Sequence, residues 1–183
     1  AISVIRLSGK DSIYTANNYF VGKRPLYEVQ SHSVHYGKLV TPNSEVIDDV
    51  LVTVFRAPNS YTGEDSVEIS IHGNPLITTK VIELFMHAGI RNAEPGEFTR
   101  RAYLNGRIDL AQAEAVAELI SARSDTSLRG ARNQLDGLLS QKVTQLRDSL
   151  IKTSSLVELE LDFAEEDIEF VDRTSLISMI SDI

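Results

Sequence analysis

Ser66-Val67-Glu68-Ile69-Ser70-Ile71-His72 alternates without a break. Val67, Ile69 and Ile71 fall on one side of an extended chain; Glu68, Ser70 and His72 fall on the other. Side chains of a strand point to opposite faces with period two. This stretch therefore predicts a strand in a sheet with one buried face. Upstream, residues 31–40 and 46–55 read as two strands of a hairpin around Thr41-Pro42-Asn43-Ser44, a turn-forming cluster. Ile2–Ser8 is a further alternating stretch rich in β-branched residues. Asp11 is placed to cap a helix running to about Val21, with Gly22 at its end. Downstream, Pro75 suits the first position of a helix that Gly89 closes. Residues 90–93 then read as a short strand leading into the loop Glu94-Pro95-Gly96-Glu97.

Past the turn Asn105-Gly106 the period changes from two to 3.6. A helix is expected from about Leu110 to Ala122, and Asp125 opens a longer stretch. There Leu128, Ala131, Leu135, Leu138, Leu139, Val143, Leu146, Leu150, Leu156 and Leu161 recur at three- and four-residue steps. Gly130 and Gly137 weaken it locally. Thr174 is placed to cap a last helix. The pattern gives an α+β chain. A mixed-sheet domain occupies residues 1–105, and an incomplete α-helical bundle occupies 106–183, because so long an apolar stripe needs more partner helices than the sequence supplies.

The 183 residues are 42% hydrophobic, enough for a packed core, and carry a net charge of -8. Residues 1–109 hold 11 basic and 12 acidic residues, and residues 110–183 hold 7 and 14. Residues 158–172 carry eight acids and no base, read as a solvated helix flank. This balance does not suit a chain that grips nucleic acid by itself. Cysteine is absent, which excludes disulfides, thiolate metal sites and cysteine nucleophiles. No window approaches eighteen consecutive apolar residues, so no membrane span is expected, and the default address is cytoplasmic. The opening Ala1-Ile2-Ser3-Val4-Ile5-Arg6 has no Met and no basic n-region; it reads as a strand already entered, and not as a signal peptide. There is no G-x-x-x-x-G-K-[ST] phosphate loop, no G-x-S-x-G elbow and no H-E-x-x-H motif. His32, His35 and His87 read as surface or strand-edge residues, and His72 either packs or lines a pocket.

Three charged residues stand out. Arg6 and Glu68 each interrupt an apolar strand, where a charge is costly unless it is paired or faces solvent. They face water, pair with each other, or face a ligand with complementary groups. Arg107 follows Asn105-Gly106, and either bridges to Asp109 or projects toward a ligand.

Longer motifs bear on that choice. Tyr61-Thr62-Gly63-Glu64-Asp65-Ser66-Val67-Glu68-Ile69 with His72-Gly73 resembles the Y/F-T-G-E-D-x-x-E…H-G segment of the MnmE/TrmE family of tRNA modification GTPases. The run from Pro95-Gly96-Glu97-Phe98-Thr99-Arg100-Arg101-Ala102 through Asn105-Gly106-Arg107-Ile108-Asp109-Leu110 to Ala115 is similar to that family's most distinctive stretch. Ile5-Arg6-Leu7-Ser8-Gly9 resembles its first strand, and Leu161-Asp162-Phe163 with Glu165-Glu166 its acidic helix end. The segments keep family order along the whole chain.

The resemblance implies an N-terminal tetrahydrofolate-binding-like domain that forms a homodimer, with 5-formyltetrahydrofolate or another reduced folate bound near the dimer interface. It places folate contacts on Arg6, Glu68 and Arg107, the last standing where the family commonly has Lys. It implies a part in carboxymethylaminomethyl-type modification of the tRNA wobble uridine, shared with an MnmG/GidA-type flavoprotein. It further implies a GTPase domain using GTP, Mg2+ and K+, none of whose sites lies in these residues. A carboxylate suits the amide and amino groups of a pterin, and guanidinium groups suit the anionic glutamate tail. Two other readings remain: a dimerisation and partner-docking scaffold without ligand, and a folate-dependent enzyme of the aminomethyltransferase kind.

Overall fold

The computed structural model describes residues 1–162 and 172–181. They form two compact units, Ala1–Ile108 and Asp109–Ile183.

The first unit is built on five strands: β1 (Ile2–Ser8), β2 (Phe20–Gly22), β3 (Ser33–Val40), β4 (Val46–Phe55) and β5 (Ser66–His72). Their order across the sheet is β1-β5-β4-β3-β2. All four pairings are antiparallel. The α+β class stands, but the expected mixed sheet is an antiparallel one. The crossover runs through α1 (Ser12–Asn17), which carries the chain from one edge of the sheet to the other. The β3–β4 hairpin forms where the turn residues placed it, with a register shift at Leu39/Val40. Helix α2 (Pro75–His87) starts at Pro75, with the Asn74 side chain accepting the Leu76 N–H. It lays Val81, Leu84 and Phe85 on Val50, Val52, Val54, Val67, Ile69 and Ile71, all buried. Each such fully buried aliphatic side chain contributes roughly 1.5–3 kcal/mol. The other face of the sheet lies away from this buried apolar cluster. Glu68 and Ser70 are half-buried there, and Ile2, Val4, Tyr36, Leu51 and His72 are exposed.

Three local expectations are corrected. Helix α1 ends at Asn17, and the Asp11 side chain makes no cap. Phe20-Val21-Gly22 leaves the helix because it pairs with Leu39, Lys38 and Gly37, a pairing that buries Phe20. Residues 90–93 form no strand; the Ile90 N–H returns to the Phe85 carbonyl as α2 ends. The loop expected at 94–97 gives way at Glu97 to a helix, α3 (Glu97–Leu104), which the apolar pattern does not announce.

The regular elements among the described residues of the second unit are helices: α4 (Leu110–Ser121), α5 (Asp125–Leu135), α6 (Leu138–Asp162) and α7 (Arg173–Ser181). Capping boxes start α4 at Asp109 with Gln112 and α5 at Ser124 with Ser127. The Gln112 amide donates to the Leu135 carbonyl at 2.8 Å, and Gln134 donates to Ala111 at 3.1 Å. The start of α4 thus lies beside the end of α5, and the two run antiparallel. The long apolar stripe is split at Gly137, whose φ of 82° is readily adopted only without a Cβ. On α6, Leu138, Leu139, Val143, Leu146 and Leu150 stay exposed. Asp172, not Thr174, caps α7, accepting the N–H groups of Thr174 and Ser175. Most of the acidic run, together with Phe163, Glu165 and Glu166, lies outside the described residues. No helix among the described residues is long and apolar enough to cross a membrane.

Candidate functional site

Arg6 on β1 and Glu68 on β5 are register partners on the face of the sheet opposite the buried apolar cluster. The two side chains pair with each other. Arg6 Nε donates to Glu68 Oε1 at 2.8 Å, and Nη2 stands 2.6 Å from the same oxygen. The side chains remain 37% and 28% exposed, so the pair is formed within reach of solvent. Two aromatic rings flank the guanidinium: its Cζ lies 5.5 Å from the Tyr61 centroid and 5.3 Å from that of Phe98. A cation over an aromatic face is attracted by the ring quadrupole.

The two rings come from different elements. Tyr61 sits in the loop between β4 and β5, and Phe98 sits on α3. The Tyr61 hydroxyl meets Thr99 Oγ1 at 3.0 Å, tying loop to helix. Beneath them lies a polar network. Glu97, with a side chain only 2% exposed, takes Arg91 through both oxygens at 2.8 and 2.5 Å and Arg101 at 2.7 Å. The Glu94 N–H adds a bond at 2.8 Å. Arg91 first, then the Glu94 N–H and Arg101, hold the Glu97 carboxyl far below the usual carboxylate range. A group so committed is no proton donor. Arg101 also reaches Glu64 Oε2 at 2.9 Å, and the Ser8 hydroxyl donates to that oxygen at 2.8 Å. Thr62, fully buried, meets Ser8 at 2.7 Å. Loop, edge strand and α3 are thereby fastened together around Arg6.

Arg107 and Tyr61 line one hollow. Its N–H bonds to the Ala102 carbonyl, and Asn105 donates to the Thr62 carbonyl at 2.7 Å. Gly63, at φ 78°, gives room to the Arg107 stem: a Cβ there would lie 3.2 Å from Arg107 Cγ. Arg107 lines an open hollow with His32, Phe55, Asn59, Ser60 and Tyr61. It has no ion pair among the described residues of its unit. Asp109, its alternative partner, is taken up as the N-cap of α4. The fold thus joins Arg6 to Glu68 directly and places Arg107 in an adjoining hollow, with Tyr61 common to both surroundings. Arg6 also lines a cavity of about 100 Å3 between β1, α2 and α3, well below the ~300–1,000 Å3 usual for a ligand pocket.

Sequence reasoning missed Tyr61, Phe98, Glu97 and Arg101. The one available signal was the i,i+4 spacing of Glu97 and Arg101, which favours a helix with a paired face. His72 is held through Nδ1 by Asp48 Oδ1 at 2.7 Å, and its backbone N–H by Oδ2 at 2.8 Å. Burial works against the Asp48 charge, but these bonds outweigh it and lower its pKa. His87 bonds to the Glu83 carbonyl of its own helix. No group of three or more His, Cys, Asp or Glu able to hold a metal occurs among the described residues.

Fold and site define an α+β unit with a preformed, aromatic-flanked ion pair on the open face of its sheet, followed in the chain by a helical unit. The family described as GTP-binding protein TrmE N-terminus matches residues 1–107, and that described as MnmE helical domain matches residues 110–183. The chain belongs to the MnmE/TrmE family. Among relatives named tRNA modification GTPase MnmE, that of Cytophaga hutchinsonii is 49% identical over 183 residues, all of this chain and 39% of the relative. That of Flavobacterium johnsoniae is 46% identical over 185 residues, and that of Aquifex aeolicus 44% over 183; both matches take in all of this chain and 40% of the relative. The chain spans about 40% of the length of the curated relatives it matches.

Proposed function

We propose that this chain is the reduced-folate-binding and self-associating part of a tRNA modification GTPase. In this reading residues 1–105 hold the folate and the homodimer contact, and residues 106–183 begin the helical domain. The observation that carries it is the flanked Arg6–Glu68 pair together with Arg107, which lines a hollow shared with Tyr61 and has no ion pair among the described residues. A carboxylate for the pterin, rings to stack on and a free guanidinium for an anionic tail are the chemistry a folate asks for. The folate supplies a one-carbon unit for modification of the wobble uridine of tRNA, in the cytoplasm and together with an MnmG/GidA-type flavoprotein. GTP hydrolysis with Mg2+ and K+ is assigned outside these residues, which contain no phosphate-loop motif.

Calorimetric titration with 5-formyltetrahydrofolate tests this reading. Saturable binding is expected, weakened by roughly 1–3 kcal/mol in Glu68→Gln, the scale of a hydrogen bond to a charged group. Unchanged affinity in Glu68→Gln removes Glu68 from the site. The scaffold reading draws on the exposed Ile2, Val4, Tyr36 and Leu51 of the open sheet face; association without any folate binding would favour it.

A further inference from the structure

Two tyrosines of the first unit stack on each other in the open. Tyr14 sits on α1 and Tyr27 in the 3-10 turn Leu26–Glu28. Their ring centroids lie 5.6 Å apart with an interplanar angle of 13°. Tyr14 nevertheless stays 61% exposed and Tyr27 42%. The core contacts of these two elements are made by Ile13, Ala16 and Leu26, which are buried, and the rings stay outside. The backbone under the stack is fixed. Asn17 Oδ1 accepts the Leu26 N–H at 2.7 Å, tying α1 to the turn. Arg56 Nη2 donates to the Tyr27 carbonyl at 2.8 Å and to that of Val29 at 3.1 Å. Rings already held parallel lose little freedom when a third flat group joins them.

Cations flank the stack in the chain. Lys10 precedes α1, and Lys23 and Arg24 lead from β2 toward the turn. All three are exposed, and none forms an ion pair among the described residues. Residues 12–27 contain Lys23 and Arg24 and no acid, in a chain of net charge -8; Asp11 and Glu28 bound the stretch. Free cations beside exposed parallel rings match a polymer of phosphates and flat bases. An acidic peptide would use the cations and leave the rings without a role. In a duplex the bases already stack on one another, so an unpaired segment is the form that fits.

We propose that the Tyr14–Tyr27 stack, with Lys10, Lys23 and Arg24, is a contact surface for an unpaired loop of RNA: a base extends the stack and the cations take the flanking phosphates. The choice of RNA rests on the tRNA-modification reading above. The surface is an auxiliary grip, in keeping with the acidic balance of the chain.

The experiment follows a labelled, uridine-rich RNA single strand by fluorescence anisotropy against the full chain at about 50 mM salt, where phosphate contacts are little screened. The same strand in a duplex is the comparison, and it is expected to bind about tenfold more weakly. Tyr14→Leu and Tyr27→Leu are each expected to weaken single-strand binding about 5- to 10-fold, the low end for a lost base–ring stack. Tyr14→Phe and Tyr27→Phe, which keep the ring, are expected to keep the native affinity. The Lys23→Gln/Arg24→Gln double variant is expected to flatten the slope of log affinity against log salt by about 1.4, as two lost phosphate contacts do on a single strand. Calorimetry with 5-formyltetrahydrofolate on the same variants separates this surface from the folate reading. Loss of both RNA and folate binding in the Leu variants would make the rings structural and overturn the proposal. Equal binding of duplex and single strand, an unchanged affinity in Tyr27→Leu, an unchanged salt slope in the double variant, or no RNA binding by the native chain also overturns it; where folate still binds, the folate reading stands. RNA binding that responds to these variants in a chain that binds no folate upholds the surface and removes the folate reading.

Discussion

Glu97 keeps its charge in a nearly closed environment because Arg91, the Glu94 N–H and Arg101 surround it. Its folded-state pKa lies below that of the unfolded chain, so the unfolded state binds more protons and stability rises with pH. The contribution is complete above the unfolded pKa of about 4.3 and is lost as pH falls through and below it. Melting temperatures measured from pH 7 to 3 are therefore expected to fall more steeply for the native chain than for Glu97→Gln below about pH 5. Parallel curves would show that Glu97 does not govern acid sensitivity. Gly63 acts by shape: with φ 78° and Arg107 Cγ 3.2 Å from a would-be Cβ, Gly63→Ala strains the backbone and displaces Arg107 together. Urea denaturation is expected to show a loss of about 1 kcal/mol or more, with weaker binding of 5-formyltetrahydrofolate in the same variant. Retained affinity would detach Arg107 from the site.

Among the elements, β3 carries Leu39, fully buried in the core and in register with Phe20 of β2. Leu39→Ala is expected to lower stability by about 2–5 kcal/mol by urea denaturation, as large-to-small core changes do. What the sequence made legible follows the strength of local signals. The β3–β4 hairpin and β5 announced themselves by alternation, and Glu68 stands on the face that alternation assigned to it. Helix α3 did not. Its N-cap is Gly96 at φ 77°, with no capping side chain, and only Glu97 and Ala102 are buried. Its anchor comes from Arg91 and from Glu64, 37 positions from Arg101, and pairing over such a span leaves no periodic trace. Residues 90–93 show the opposite failure, a β-like composition with no ladder partner. Of the candidate site, the charged residues were legible because charge on a strand is conspicuous. Tyr61 and Phe98 were not, because a ring in a loop and a ring on a polar helix look like ordinary packing.

At the scale of the whole molecule, apolar surfaces stay exposed on each unit among the described residues. The first unit has the sheet face with Ile2, Val4, Tyr36 and Leu51; the second has the α6 stripe with Leu139, Leu146 and Leu150. Surfaces of this kind mark association sites. Sedimentation at high micromolar concentration is expected to show species heavier than a monomer; a clean monomer would count against self-association through either surface. No saturable GTP binding is expected, and tRNA binding should be weak and salt-sensitive, since 26 acids outnumber 18 bases. Filter binding at physiological salt checks both, and tight tRNA binding would relocate that function into these residues.

The strand that carries Arg6 is an edge strand, paired among the described residues with β5 and joined to Glu68 across 62 positions of sequence. Loop closure over such a span is entropically slow compared with a hairpin, whose ends are already close. During refolding, β3 and β4 are positioned to zip early and β1 to arrive late. Pulse-labelling by hydrogen exchange should then find protection in β3–β4 before β1. The recognition pair does not exist until the edge strand lands, so a ligand for it engages only chains that have finished folding.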